Sequence, residues 1–202
     1  MQSVANRLHP DASRSAAAGA RGFTLVELMI TVAVLAIVVT LAAPSFSDLI
    51  NRNRLIAAAN DIVGVMQTAR MEAVRRNTRV VLCPSTDGAG CSGADWQRLI
   101  AFSDADGDVT VDADDDEVIR DVTLSTGGIV VKPSSNTATN QRISFGASGF
   151  ARVGSGVARE GGLSVCSNQL DAAENTRDVV VAVSRVSVTT RNGSDACTAR
   201  PD

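Results

Sequence analysis

Residues 20–46 read ARGFTLVELMITVAVLAIVVTLAAPSF, an apolar stretch with a single carboxylate, Glu27, near its start. No charged residue lies between Leu28 and Pro44. As a helix rising about 1.5 Å per residue, residues 23–46 would be roughly 36 Å long, enough to cross a hydrocarbon core of about 30 Å. The stretch predicts a membrane-spanning helix, and the carboxylate inside it needs a physical reason.

Positive charge lies on one side of this stretch, because Arg7, Arg14 and Arg21 precede it. The positive-inside bias places residues 1–22 in the cytoplasm and sends the C-terminal part outward. A secretory signal peptide is the alternative, with cleavage before Ser45 in TLAAPSF. The apolar core exceeds the usual ~7 to 15 residues of a signal peptide and continues into an amphipathic helix, so an anchor is favoured.

The composition argues against catalysis. Among 202 residues, three of the 19 basic and one of the 22 acidic residues lie in residues 1–22, so the rest carries a formal charge of −5. The only histidine, His9, lies in the same segment, and the chain has no tyrosine. Without the usual general base, the commonest zinc ligand and a phenolic acid, we expect no enzyme and no cofactor or metal.

A helical pattern continues beyond Pro44 and predicts one helix running to about Arg76, half anchor and half spine. Its apolar stripe is expected to pack against a head domain. The stripe consists of Leu55, Ile56, Ala59, Ile62, Val63, Met66, Ala69, Ala73 and Val74.

Short β-branched runs follow residue 79, separated by clusters of Gly, Asn, Ser and Asp, and they predict antiparallel strands. The fold class is therefore α+β, a long N-terminal helix packed on an antiparallel β-sheet head. We expect four segments: 1–22, a membrane half of the helix at 23–46, an amphipathic half at 47–79, and the head at 80–202. Residues 132–141, KPSSNTATNQ, are expected to form a flexible loop.

Four cysteines allow three pairings, and the sequence alone does not choose among them. If the head is exported, disulfides can form. The short, glycine-containing loop CPSTDGAGC favours a bond between Cys83 and Cys91, which leaves Cys166 with Cys197. Their spacing fits no zinc pattern.

Acidic residues cluster at 104–117, DADGDVTVDADDDE. Asp104, Asp106 and Asp108 alternate like the first ligands of a calcium-binding EF-hand loop. Val109 stands at position six of that pattern and Asp115 at position twelve, where glycine and glutamate are required, so the pattern fails. A solvated hairpin is the simpler interpretation, with calcium as the alternative.

The start of the apolar stretch, a basic residue and glycine followed by Phe-Thr-Leu-x-Glu, resembles the N-terminus of type IV pilins and type II secretion pseudopilins. The resemblance implies a pilin-like fold and cleavage between Gly22 and Phe23 by a prepilin peptidase, which also methylates the new amine. Residues 1–22 would then be a removed leader. Pilins commonly carry a proline near the position of Pro44, where a helix break or kink is expected.

This resemblance gives Glu27 a role in assembly. A charge at the centre of a membrane helix costs on the order of 2.5 to 3.5 kcal/mol on insertion scales, less near an end, and is normally retained because it finds a partner. The amine of Phe23 would lie about one helical turn away, and a neighbouring subunit could offer its own amine. The alternative is a carboxylate that only stabilises the helix N-terminus, worth ~0.3 to 1 kcal/mol.

Several motifs of the head resemble minor pilins of the GspH/FimT type, among them LCPS, ISFGASGFA, LSVC and a final cysteine. The resemblance implies a position at or near the tip of a pilus, help in initiating its assembly, and other pilins, the prepilin peptidase and the inner membrane as partners. A type II secretion pseudopilin is the alternative within the same class.

Some FimT-like proteins bind DNA through a Gly-Arg-x-Arg motif, and a DNA receptor is a third interpretation. Here the corresponding stretch reads SRVS, in which only Arg185 of the motif's arginines is retained. A DNA site would need clustered positive charge. The candidate residues are Arg177, Arg185, Arg191 and Arg200.

Overall fold

The computed structural model describes residues 22–112, 114–124, 127–194 and 196–202, without the side chains of residues 43 and 44. The leader predicted at 1–22 lies outside the described residues apart from Gly22. The chain divides between Ala42 and Ala43 into an N-terminal helical unit and a compact C-terminal unit. The compact unit therefore begins well before residue 80 and includes the second half of the helix.

Helix α1 spans Leu25–Arg76 as one element. The helix continues through Pro44, so it has no break there, and the kink expected at this proline stays a prediction. A proline removes a single N–H donor, and the hydrogen bonds of the turns on either side can keep the chain helical. α1 ends at Arg76, followed by Asn77 with φ of 53°.

One face of the second half of α1 is buried, at the spacing of three and four residues that places side chains on one stripe. The predicted stripe is correct at Leu55, Ala59, Ile62, Met66, Ala69 and Ala73, and the structure adds Ala58 and Val65. Ile56 and Val74 are 38% and 53% exposed, so these two positions were assigned to the core wrongly. Each lies one residue beyond a buried position, on the edge of the stripe.

In the described residues, nine strands form two antiparallel sheets, which confirms the α+β class with an antiparallel head. The five-stranded sheet has the order β3-β2-β1-β5-β6, and the four-stranded sheet has the order β4-β7-β8-β9. The strands are β1 Arg79–Pro84, β2 Arg98–Asp104, β3 Val118–Thr123, β4 Ile129–Pro133, β5 Ile143–Phe145, β6 Ala151–Val153, β7 Glu160–Ser167, β8 Thr176–Ala182 and β9 Val186–Arg191.

Both sheets contribute alternate residues to one apolar core that also contains the buried stripe of α1. Strand side chains point alternately to the two faces of a sheet, so every second residue reaches this core. The five-stranded sheet supplies residues such as Leu82, Leu99 and Phe145, and the four-stranded sheet supplies residues such as Val165 and Val179. This core holds the second half of α1 and the two sheets together. The outer faces of both sheets point away from it.

The outer face of the five-stranded sheet carries a second, smaller apolar cluster. Val81 and Phe102 lie there, and Val109 and Val111 from the acidic segment pack against it. The interpretation of residues 104–117 as a solvated hairpin is therefore only partly correct. Asp104 is buried and the other carboxylates are at least partly exposed, while the valines between them cover the sheet.

Two further elements were missed. β6 has the sequence Ala-Arg-Val, with a single β-branched residue, so no β-branched run marks it. Helix α2, Ser135–Ala138, lies inside the segment predicted as a loop, and its Thr137 is fully buried. Ser134 and Thr137 both lie within hydrogen-bond distance of the backbone N–H of Gly162, at 3.1 and 3.0 Å, which ties α2 to β7.

The described chain contains both disulfides that the loop length favoured. Cys83 bonds to Cys91, eight residues apart, and Cys166 bonds to Cys197, 31 residues apart. The first closes a loop after β1. The second attaches the C-terminal segment to β7.

Candidate functional site

The N-terminus of α1 is organised by Thr24. Gly22, Phe23 and Thr24 precede the helix, and the Thr24 hydroxyl accepts a hydrogen bond from the backbone N–H of Glu27 at 3.2 Å. The Thr24 carbonyl accepts from the N–H of Leu28 at 3.1 Å. These are the contacts of an N-cap residue, and Thr-x-x-Glu is the spacing of a capping box. The sequence contained this signal, but Thr24 was not identified as a cap.

Glu27 lies in the first turn of α1 and is exposed, and within the described residues its carboxylate has no hydrogen-bond or ion-pair partner. The side chains around it are apolar and exposed too, with Phe23 at 83% and Leu28 at 60%. By length and composition α1 is the one helix in the described part of the chain that can cross a membrane. A carboxylate inside hydrocarbon is costly unless it finds a partner, so the role of Glu27 in assembly stays a prediction.

The Gly22–Phe23 peptide bond lies ahead of α1, outside any helix or strand. Both residues are exposed. Residues 1–21, which would form the rest of a leader, lie outside the described residues. Processing at this bond stays a prediction.

The four arginines predicted as a DNA site do not form one surface. β8 and β9 pair with Thr176 opposite Arg191 and Val181 opposite Val186, so Arg177 and Arg191 lie at one end of this hairpin. Arg185 lies at the other end, in the turn between the strands. At about 3.3 Å per residue the two ends are roughly 15 to 20 Å apart. The four candidate arginines are therefore not clustered on one site.

Three of these arginines are also occupied. Arg191 donates from Nε to Asp178 Oδ2 at 2.6 Å, and Arg200 forms an ion pair with Glu160. Arg177 donates to the carbonyl oxygens of Glu174 and Thr176, at 3.4 and 3.2 Å. Within the described residues, Arg185 is the one arginine of the four whose side chain makes no hydrogen bond or ion pair. The charge count of this region could not reveal the ion pairs of Arg191 and Arg200, whose partners lie 13 and 40 residues away in the sequence.

A groove missed by the sequence analysis lies on the outer side of the five-stranded sheet, at its β6 edge. It has a volume of about 810 Å³, and Arg142, Arg152 and Arg159 line it together with Phe150 and Val157. We call it the arginine groove. These arginines are separated in sequence by a strand and two turns, so no run of basic residues marks them.

The acidic segment has its own internal hydrogen bonds. Oxygen atoms of Asp104, Asp106 and Asp108 lie within 4.8 Å of one another. Asp104 accepts from Arg79 Nε at 2.7 Å and from the N–H of Gly107 at 2.9 Å, and Asp108 accepts from the N–H of Thr110 at 2.6 Å. Arg79 thus compensates the only buried carboxylate of the three.

Charge crowding within this segment affects Asp112. Local burial raises the pKa of its carboxyl group, and the neighbouring carboxylates of Asp108, Asp106, Asp116 and Asp115 raise it further. Like charges disfavour the ionised form. The segment is therefore a strongly negative surface.

A long apolar N-terminal helix continuing into an antiparallel head, with the Phe-Thr-Leu-x-Glu start, defines a pilin-like protein. The profile of the family described as Type II transport protein GspH matches residues 58–187, and that of the Prokaryotic N-terminal methylation motif matches residues 18–43. The chain belongs to the GspH family, the GspH/FimT type of minor pilins and pseudopilins.

Known relatives agree with this class. Pilin-like protein PilA1 of Thermus thermophilus is 41% identical over 70 residues, which are 35% of this chain and 44% of PilA1, so less than half of that relative is matched. The structure of the type IV minor pilin FimU of Pseudomonas aeruginosa is similar, with a TM-score of 0.50 and 20% identity over 68% of this chain and 90% of FimU. This second similarity concerns the fold alone.

The minor pseudopilin EpsH from the Type 2 Secretion System of Vibrio cholerae also aligns. It covers 70% of this chain and 98% of EpsH, with 13% identity and a TM-score of 0.45.

Proposed function

We propose that this chain is a minor pilin that lies at or near the tip of a type IV pilus and helps to initiate its assembly. The observation that carries the proposal is the N-terminal start: an exposed Gly22–Phe23 bond, a capped apolar helix and one unpartnered carboxylate in its first turn. Membership of a pilin and pseudopilin family supports the assembly class.

In this proposal the prepilin peptidase cuts between Gly22 and Phe23 on the cytoplasmic side of the inner membrane and methylates the amine of Phe23. The chain then spans the membrane once, with its head in the periplasm, before it enters the pilus. An amine placed next to Glu27 would remove the cost of an unpaired charge in hydrocarbon. A neighbouring subunit, shifted along the helix axis, would supply that amine, so assembly is favoured over the isolated membrane state.

The first test is the N-terminus of the protein purified from its native membrane. Mass spectrometry is expected to find a mature chain that starts at Phe23 and carries one methyl group on its amine. A start at Ser45 would identify a secretory signal peptide and overturn the proposal.

The second test replaces Glu27 with alanine and measures the fraction of the protein in sheared filaments. The head should fold as before, because Glu27 lies outside its core, while incorporation should drop at least about tenfold if the lost pair is worth 1.4 kcal/mol or more. Asp114→Ala is the matched control, since it removes an exposed carboxylate from the head. If the Glu27→Ala chain enters filaments normally, the carboxylate only stabilises the N-terminus of the helix.

A type II secretion pseudopilin shares the leader, the helix and the head, and remains the alternative in the same class. Deleting the gene distinguishes the two, because loss of pili with normal protein secretion would support the role in the pilus.

The DNA-receptor role has less support, because the side chains of Arg177, Arg191 and Arg200 already have partners within the chain. A gel-shift titration without retardation at tens of micromolar protein and low salt would remove it.

A further inference from the structure

The arginine groove has a defined floor on the outer face of the five-stranded sheet. Ser144 on β5 is paired with Val81 on β1 and with Arg152 on β6. Ala151 and Val153, on either side of Arg152, are buried in the core, so the Arg152 side chain lies on the outer face. The groove is therefore part of the sheet surface and is held by the same ladder of hydrogen bonds as the core.

Three of its arginines are available to a ligand. Arg152 and Arg159 are exposed, and within the described part of the chain neither has a hydrogen-bond or ion-pair partner. Arg142 is held in place by donating from Nε to the carbonyl of Gly154 at 2.9 Å, which leaves its two terminal nitrogens. Arg79, which also lines the groove, is paired with the buried Asp104. The groove is thus a positive site in a chain of net negative charge, with one of its arginines held in place.

The spacing of these arginines matches an extended peptide. Arg142 lies two residues before Ser144, the partner of Arg152, so Arg142 and Arg152 are diagonal neighbours, about 7 to 8 Å apart. Carboxylates on alternate residues of an extended chain are about 6.6 Å apart at 3.3 Å per residue. Arg159 follows Ala158, which forms a β-bridge with Val153, and so lies beside the same edge.

The walls also suit a peptide. Phe150 and Val157 are 54% and 84% exposed and offer apolar contact between the charged positions. Only one aromatic ring lines the groove, whereas single-stranded nucleic acids are bound on several stacked aromatics. Val109 of the acidic segment forms part of the rim, so a bound anionic segment has to be short enough not to reach the carboxylates of residues 104–117.

We propose that the arginine groove binds an acidic, extended segment of a neighbouring filament subunit. Guanidinium groups recognise carboxylates with paired hydrogen bonds, and several pairs in one groove act together where a single exposed pair would contribute little. The inference rests on the proposed function, because it takes the partner from the same filament. It assigns to the head a second contact between subunits, in addition to the helix.

The binding test uses the full chain in detergent and a labelled heptapeptide with alternating glutamate and serine. Fluorescence anisotropy at low salt should show saturable binding. Arg152→Ser combined with Arg159→Ser should raise the Kd at least about tenfold. Arg120→Ser with Lys132→Ser is the control, because it removes the same charge from exposed positions on β3 and β4, and its Kd should change less than about twofold.

Several results would overturn the proposal. Among them are the absence of peptide binding, an equal loss in both double variants, and tighter binding of a single-stranded oligonucleotide of equal charge, which would make the groove a nucleic-acid site. Unchanged thermal unfolding of the variants shows that the surface substitutions leave the fold intact. Unaltered affinity of the Arg152→Ser, Arg159→Ser chain would place the peptide elsewhere and refute the site.

A cellular test separates this proposal from the proposed function. The groove variant should be processed normally at Phe23 but should enter sheared filaments several times less than the Arg120→Ser, Lys132→Ser control. If the unmodified chain itself fails to enter filaments, the proposed function is wrong. If it enters and the groove variant enters equally well, the subunit contact is wrong and the proposed function stands.

Discussion

Asp178 on β8 is a carboxylate whose side chain is only 3% exposed, on the outer face of the four-stranded sheet. Arg191 binds it through Nε at 2.6 Å and a terminal nitrogen at 3.2 Å, and the hydroxyl of Ser164 donates to it at 2.6 Å. The same hydroxyl accepts from the backbone N–H of Arg200 at 2.9 Å. A buried charge with this many partners depends on each of them.

Arg191→Ala should therefore destabilise the fold. It leaves Asp178 buried without its counter-ion, and breaking a buried pair costs about 3 to 5 kcal/mol, with the lower end expected because Arg191 is 26% exposed. Chemical denaturation followed by circular dichroism measures the change. Arg185→Ala is the control, since the turn residue has no side-chain partner in the described chain and should change the free energy of unfolding by less than about 0.5 kcal/mol. Equal stability of the two variants would contradict this account.

Among single residues, the sequence predicted those whose role depends on their near neighbours in the chain. Gly22, Phe23 and Glu27 lie in one motif, and the cysteine pairs follow from a short loop and from elimination. The role of Arg191 depends on a partner 13 residues away, across a hairpin whose register no local pattern fixes. The arginine groove was invisible for the same reason.

Among the elements, the C-terminal turn of α1 carries a charge cluster. Glu72 accepts from Arg75 and from Arg76, and Arg76 also binds Glu117 of the acidic segment. The hydrogen bonds from Arg75 and then Arg76 lower the pKa of Glu72 from 4.5 to about 2. Basic residues in the last turn also suit the negative end of the helix dipole.

This cluster predicts a pH-dependent stability. Because the pKa of Glu72 is lower in the folded chain, its contribution is complete above pH 4.5 and is lost as the pH falls towards about 2. The difference in Tm between the unmodified chain and Glu72→Gln should be constant above about pH 5 and vanish towards pH 2. Asp61→Asn on an exposed face of α1 is the control. A difference that stays constant down to pH 2 would show that Glu72 is not held by these arginines.

The elements differ in how far periodicity could predict them. α1 and the longer strands carry repeated apolar positions, which record burial directly. β6 has three residues and α2 has four, so neither completes enough repeats to form a pattern. The division into two sheets depends on which strands pair, and the turn at 183–185 separates β8 from β9 inside a run that looked continuous.

In the whole molecule the C-terminal segment crosses the outer face of the four-stranded sheet as a strap, residues 196–202. Its attachments include the Cys166–Cys197 disulfide, the hydrogen bond from the backbone N–H of Arg200 to Ser164, the one from Arg191 to the carbonyl of Thr198 at 2.8 Å, and the ion pair between Arg200 and Glu160. The strap covers the network around Asp178. Its attachment therefore protects a charge that the fold has buried.

The two disulfides should accordingly differ in what their removal does. In the chain-entropy model, the Cys166–Cys197 bond, which joins residues 31 apart, contributes about 3.7 kcal/mol, and the Cys83–Cys91 bond, with a separation of eight, contributes about 2.6 kcal/mol. Replacing Cys166 and Cys197 with serine also frees the strap and admits water to Asp178, so the loss should exceed that of the Cys83, Cys91 double variant by more than the entropic difference of about 1 kcal/mol.

Chemical denaturation of both double-serine variants, with hydrogen exchange of the β7 and β8 amides, is the measurement that decides. We expect faster exchange in these strands only when the Cys166–Cys197 bond is removed, since the other bond closes a loop after β1 in the other sheet. Equal losses of stability, with unchanged exchange in β7 and β8, would mean that the hydrogen bonds from Arg191 and Arg200 hold the strap without the disulfide. In that case the Cys166–Cys197 disulfide stabilises the protein only by restricting the unfolded chain.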